Sequence, residues 1–216
     1  MGLASDGGLL VPQTIPDLRS RLKSLRGMSY NALAFEIMRH YIDDLSEKEL
    51  IGLIDTSYAT FDHEMITPLK SLDDFHVLEL FHGPTLAFKD VALQFLGNLF
   101  EHILEGSDAR LNILCATSGD TGSAAIAGVR GKARINIFVL YPTGKTSPLQ
   151  ERQMTTVLDD NVHNISLNGS FDDCQTLMKS VFSDLTFRNH YQLGAVNSVN
   201  WARILAQIVY YFSAWC

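Results

Sequence analysis

Four short segments combine residue types that could do chemistry. The first is His82-Gly83-Pro84-Thr85-Leu86-Ala87-Phe88-Lys89-Asp90. A strand is expected to end near Phe81, a Gly-Pro turn follows, and Lys89 opens a helix. A helix N-terminus disfavours a positive charge by a few tenths to about 1 kcal/mol. A desolvated lysine there offers more free amine as a nucleophile. Position alone favours an ordinary surface lysine paired with Asp90.

The second segment is Thr117-Ser118-Gly119-Asp120-Thr121-Gly122-Ser123. Its glycines allow close backbone approach, and its N–H groups and hydroxyls converge on a helix start, which is an anion site. It is neither GxGxxG nor a Walker loop, and Asp120 and the hydroxyls could simply be caps. An acid in an anion cradle suggests that Asp120 faces a hydroxyl of the ligand. The third segment, Tyr141 to Glu151, holds Lys145 and Ser147 ahead of Pro148; serine as cap with proline in the first turn explains it as a helix start. The fourth, Asn197-Ser198-Val199-Asn200-Trp201-Ala202-Arg203, puts Arg203 about one turn into a helix. From there it could reach back to a phosphate. The alternative is that Asn200 or Ser198 caps and Arg203 is solvated.

The elements that must position these segments alternate. Strands are expected at Val77–Phe81, Leu111–Ala116, Ile135–Tyr141, Val162–Leu167 and about Gln192–Val196. Helices are expected at Lys89–Leu104, after Ala116, at Ser147–Leu158, at Phe171–Phe187 and from Asn200 onward. Such alternation indicates a parallel α/β sheet. The apolar run Ile135–Tyr141 suits a sheet covered on both faces. Ligands of such sheets bind at the carboxyl ends of strands, where all four segments are expected. Upstream, Ser29 is expected to cap a helix to about Asp44, with Leu33, Ile37 and Tyr41 at spacings of four. Ser46 and Glu49 form a capping box before Leu50, Leu53 and Ile54. The expected division is a mainly helical region, 1–70, and an α/β core, 71–216.

The 216 residues carry a net charge of −7, which argues against nucleic acid or anionic membrane as partner. No apolar run reaches the roughly 18 residues needed to span a bilayer. The three cysteines, Cys115, Cys174 and Cys216, show no CxxC spacing and the histidines no HExxH, so no metal site is expected. This usage fits a reducing cytoplasm. The apolar helical pattern still runs at Tyr210–Cys216 with no cap, which reads as a truncation.

Taken together, LELFHGPTLAFKD, ATSGDTGSAA, SPLQE and NSVNWARILAQ, with DGGLLVP near the start, occur in one order. That set closely resembles the amino-terminal half of the threonine synthases of bacteria and fungi, over essentially the whole chain. The resemblance implies the fold type II architecture of pyridoxal-phosphate enzymes, tryptophan-synthase-β-like, with parallel sheets and flanking helices. It implies conversion of O-phospho-L-homoserine and water to L-threonine and phosphate, with pyridoxal 5′-phosphate bonded to Lys89 as the catalytic lysine. Phe88 would pack against the pyridine ring. Thr117, Ser118, Gly119, Asp120 and Thr121 match the loop that holds the substrate carboxylate, Asp120 also approaching the cofactor hydroxyl. Asn197, Ser198, Asn200 and Arg203 match the region assigned to the substrate phosphate, with Lys145 and Ser147 as helpers. In the family a glycine-rich loop for the cofactor phosphate and a hydroxyl partner for the ring nitrogen lie later in the chain. Neither is found in these residues, so weak cofactor retention and no turnover are expected of this chain alone. The competing readings are a related phospho-lyase or deaminase, and a non-catalytic binding protein on the same fold.

Overall fold

A computed structural model describes residues 10–196, 198 and 200–216. Asn197 and the first part of DGGLLVP lie outside the described residues. After a helical turn, Arg19–Arg21, and α1 (Leu22–Leu25) come α2 (Tyr30–Met38) and α3 (Glu47–Tyr58). Ser29 accepts the Ala32 N–H, and Ser46 and Glu49 form the expected reciprocal capping box. Helix α2 stops six residues before the expected end at Asp44. Leu33 and Ile37 are buried in the core, whereas Tyr41 leaves the helix in a tight turn and meets Trp201 edge-on at 5.2 Å.

Next come β1 (Leu69–Leu72) and β2 (Phe75–Leu78), an antiparallel hairpin. The expected strand at Val77–Phe81 is therefore shifted, and it does not join the parallel sheet. Asp73, at φ 46°, makes the hairpin turn, a conformation that Asp tolerates better than most residues.

The α/β unit follows as α4 (Asp90–Leu104), β3 (Leu111–Ala116), α5 (Asp120–Val129), β4 (Ile135–Pro142), α6 (Pro148–Thr155), β5 (Val162–Leu167), α7 (Phe171–Ser183), α8 (Leu185–His190), β6 (Leu193–Gly194) and α9 (Trp201–Trp215). The sheet has four parallel strands in the order β5-β4-β3-β6. Ile113, Cys115, Ile137 and Val139 face a core shared with α4, α5 and α6, while Leu114 and Leu140 face Cys174 of α7. Both faces are thus covered, as the apolar strands require. The helix expected over Phe171–Phe187 is two helices. Asp184 is extended and its carboxylate accepts the Phe187 N–H, the local competition that makes Asp a helix starter. The strand expected over Gln192–Val196 is only two residues long. A separate core joins α2 and α3 to α4 and α9 through Leu33, Ile37, Ile54, Phe95, Leu205 and Val209.

Helices α4 and α5 touch backbone to backbone. A Cβ on Gly97 would overlap the Gly128 carbonyl, with the Gly128 carbonyl carbon at 2.7 Å, and one on Gly128 would overlap the Leu93 carbonyl. At 1.5 Å per residue, Lys89 and Thr121 each lie roughly 10–12 Å upstream of this crossing. Close contact at the glycines therefore brings the two helix starts together.

Candidate functional site

The Lys89 loop does not hang from a sheet strand, as the sequence reading expected. It is the approach to α4, and the α4–α5 crossing carries it to the carboxyl end of β3. Lys89 stands at the N-cap position of α4. Its Nζ donates to Thr121 Oγ1 at 2.7 Å and lies 2.7 Å from Asp120 Oδ2. The lysine side chain keeps 16% of its exposure, so it is sheltered yet reachable. The Phe88 ring is exposed, its centroid 5.7 Å from Nζ.

Asp90 is not the partner of Lys89. It is wholly buried, and its carboxylate accepts the Thr85 hydroxyl at 2.7 Å, the Thr85 N–H at 2.8 Å and, at 3.4 Å, the Ala87 N–H. Burial raises its pKa, and these hydrogen bonds oppose the rise. The loop must fold tightly over this acid. A Cβ on Gly83 would overlap that of Asp90 and lie 2.6 Å from its Oδ2, and Leu86 takes φ 61°. Leu86 thus sits in a conformation that costs a branched or bulky residue about 1–3 kcal/mol unless its surroundings enforce it. Here Asp90 does the enforcing.

The second loop is built around Thr117. Its buried hydroxyl accepts the N–H groups of Gly119 and Gly122, each at 2.9 Å. Thr117 therefore shapes the cradle from within. Ser118 is exposed at the rim, and Ser123 is spent on the Gly119 and Asp120 carbonyls. The two loops are tied by α6. Gln153 Nε2 donates to Thr85 O at 3.0 Å, and the Gln150 side chain occupies the space beside Gly119. Sequence reasoning missed Gly83, Thr85, Asp90, Gln150 and Gln153. The SPLQE match was the available signal for Gln150, and Gln153 lies two residues beyond it. Ser147 caps α6 by accepting the Gln150 N–H, and Lys145 is exposed in the preceding turn with no hydrogen bond from its side chain to the Lys89 or Gly119 loops.

At the fourth segment Asn200 Oδ1 accepts the Ala202 and Arg203 N–H groups as the cap of α9, while Ser198 is exposed. Arg203 is not solvated. It is 2% exposed, its Nη1 donates to Val196 O at 3.4 Å, and its Nε has no partner among the described residues. Burial lowers its pKa, and Asp120 opposes this. Lys89 and Arg203 both act electrostatically on the buried thiol of Cys115, which burial pushes up to about 12. Cys115 thus stays a protonated thiol near the two cations. The first three loops meet directly, and Asp120, paired with Lys89, also acts electrostatically on Arg203. A buried guanidinium with an unused N–H, near an amine and the positive end of a helix, suits a small anion. Among the described residues no group of three His, Cys, Asp or Glu is placed to hold a metal ion, and no helix is long and apolar enough to cross a membrane.

This architecture is that of a class of pyridoxal-phosphate-bound α/β enzymes. The chain superposes on a pyridoxal-phosphate-bound structure from Brucella melitensis with a TM-score of 0.92 at 45% identity, covering 99% of this chain and 47% of that one. Both that protein and the yeast enzyme, which aligns with a TM-score of 0.90 at 51% identity over 98% of this chain and 44% of its own, are threonine synthases. The family model described as "Threonine synthase N terminus" matches residues 1–58. The threonine synthase of Schizosaccharomyces pombe is 55% identical over 97% of this chain and 43% of its own length. The chain matches the amino-terminal half of threonine synthases, and it spans a little under half the length of these relatives.

Proposed function

We propose that this chain supplies the lysine half of a threonine synthase active site, acting on O-phospho-L-homoserine and water to give L-threonine and phosphate. The observation that carries the reading is the pairing of Lys89 with Thr121 and Asp120 beside the buried, incompletely partnered Arg203. These residues fit pyridoxal 5′-phosphate. Lys89 supplies a sheltered amine, Phe88 an exposed ring for the pyridine face, and Asp120 an acceptor for the cofactor hydroxyl.

When bound, the cofactor supplies an electron sink for charge developing at the substrate Cα. The residues of this chain do the rest. With its amine free, Lys89 would hold and move a proton at the substrate Cα. Asp120 and Thr121 hold its Nζ in place. Ser118, at the rim of the positive end of α5, receives the substrate carboxylate. Arg203, with Ser198, Lys145 and Ser147 as proposed helpers, stabilises charge on the departing phosphate. The substrate is a small amino-acid phosphate, and the proposed compartment is the cytoplasm. Turnover is proposed for the whole protein.

Product analysis with O-phospho-L-homoserine tests the assignment on the whole protein. Threonine and inorganic phosphate in equal amounts are expected. A 2-oxo acid with ammonia would make it a deaminase, and unconsumed substrate would favour a binding role.

A further inference from the structure

His82 is the root of the Lys89 loop, and it is gripped on both sides. Its Nδ1 lies 2.9 Å from Asp62 Oδ1 and its Nε2 lies 2.9 Å from Glu79 Oε2. A carboxylate only accepts hydrogen bonds, and a neutral imidazole carries a single N–H. Both contacts are hydrogen bonds only when both ring nitrogens are protonated. The backbone adds to the grip, since the Asp62 N–H donates to the His82 carbonyl at 3.0 Å and the Glu79 N–H to the Pro68 carbonyl at 2.9 Å. One ring therefore joins the loop after α3, the exit from β2 and the start of the Lys89 loop. The other rings against it are His63, at 4.8 Å between centroids, and Phe81, at 4.8 Å. Asp62, Glu79 and His63 are thus the titratable groups that face it. Hydrogen bonding to Glu79, followed by burial in the opposite sense and then Asp62, leaves the His82 pKa above its ordinary value.

The other braces of the loop are an uncharged amide and a buried acid. Gln153 does not titrate, and Asp90 is a buried acid held by three donors. We infer that His82 is a positioning residue, a protonated clamp that holds the Lys89 loop against the body of the protein and releases its root when the ring loses a proton. The inference rests on Lys89 being the functional lysine only for its consequence in catalysis, because the clamp itself is observable without cofactor.

The test is NMR of the protein labelled with nitrogen-15, titrated through neutral pH. Both His82 ring nitrogens are expected to be protonated at neutral pH, with a midpoint above about 6.5, the ordinary histidine value. The Thr85 to Lys89 amide resonances are expected to move with that same midpoint. Glu79→Gln should lower the midpoint by about one unit, Asp62→Asn should lower it less, and His82→Gln should abolish the coupled amide shift. An unprotonated ring nitrogen at neutral pH, a midpoint indifferent to Glu79→Gln, or loop amides that ignore the His82 titration would each overturn the clamp. Failure of Lys89 to bond the cofactor would instead refute the functional reading and leave these NMR outcomes standing.

Discussion

Replacing Asp90 separates two accounts of the residue next to Lys89. If Asp90 were a solvated counter-ion of Lys89, Asp90→Ala would cost little, as exposed pairs contribute about 0–1 kcal/mol. The structure instead gives it two short hydrogen bonds from Thr85 and a long one from Ala87. Hydrogen bonds to a charged group contribute about 1.5–3 kcal/mol each. The long one adds little, and water can reach half-buried Thr85 after truncation. Relief from burying a carboxylate offsets part of the loss. The expected net destabilisation is about 2–4 kcal/mol. For a chain of this size that lowers Tm by roughly 5–15 °C. Asp90→Asn should fare better, because its amide oxygen can accept the Thr85 N–H while its amide nitrogen donates to the Thr85 hydroxyl oxygen. Thermal unfolding followed by circular dichroism measures both variants. A Tm within about 1 °C of wild type for Asp90→Ala would refute the brace, since about 0.5 kcal/mol is what an uninvolved surface site shows.

Three further outcomes follow from the same loop. Gly83→Ala should be destabilised by about 1–3 kcal/mol, because its new Cβ meets the fixed Cβ of Asp90 and not a flexible tip; urea unfolding measures it. Gln153→Ala should cost about 0.5–1.5 kcal/mol and also slow cofactor capture by Lys89, whereas Gln153→Glu, which cannot donate to Thr85 O, should do the same; stopped-flow absorbance separates the two effects. The raised His82 pKa sets a pH dependence. The stabilisation from its clamp is fully present below the unfolded value of about 6.5 and is lost as pH rises through the folded value. Tm measured across that window should fall in wild type and lose that component in His82→Gln.

The frame of the fold was legible because its signals are local. Leu111–Ala116 is a mainly apolar, strand-length run, Val162–Leu167 a mixed one of the same length, and Ser46 with Glu49 announces a helix start; all three stand where the pattern puts them. The hairpin β1–β2 was not legible as a pair. Leu69–Leu72 lacks β-branched residues, and its turn is a left-handed Asp73 without glycine. The site was legible as a set of segments, since each sits at a strand-to-helix or loop-to-helix junction. What joins them was not. The contact of α4 with α5 depends on Gly97 and Gly128, which are 31 positions apart in sequence and carry no local pattern. Pairing of Lys89 with Asp120 over Asp90 likewise depends on that contact. Adjacency in sequence pointed to the wrong carboxylate.

The central claim is that Lys89 carries the cofactor, and borohydride trapping tests it most directly. Incubation of the whole protein with pyridoxal 5′-phosphate, reduction and peptide mass analysis should place one reduced cofactor on Lys89, with loss of the visible absorbance band. Lys89→Ala should abolish both. Label on another lysine, or an undiminished band in Lys89→Ala, would contradict the account.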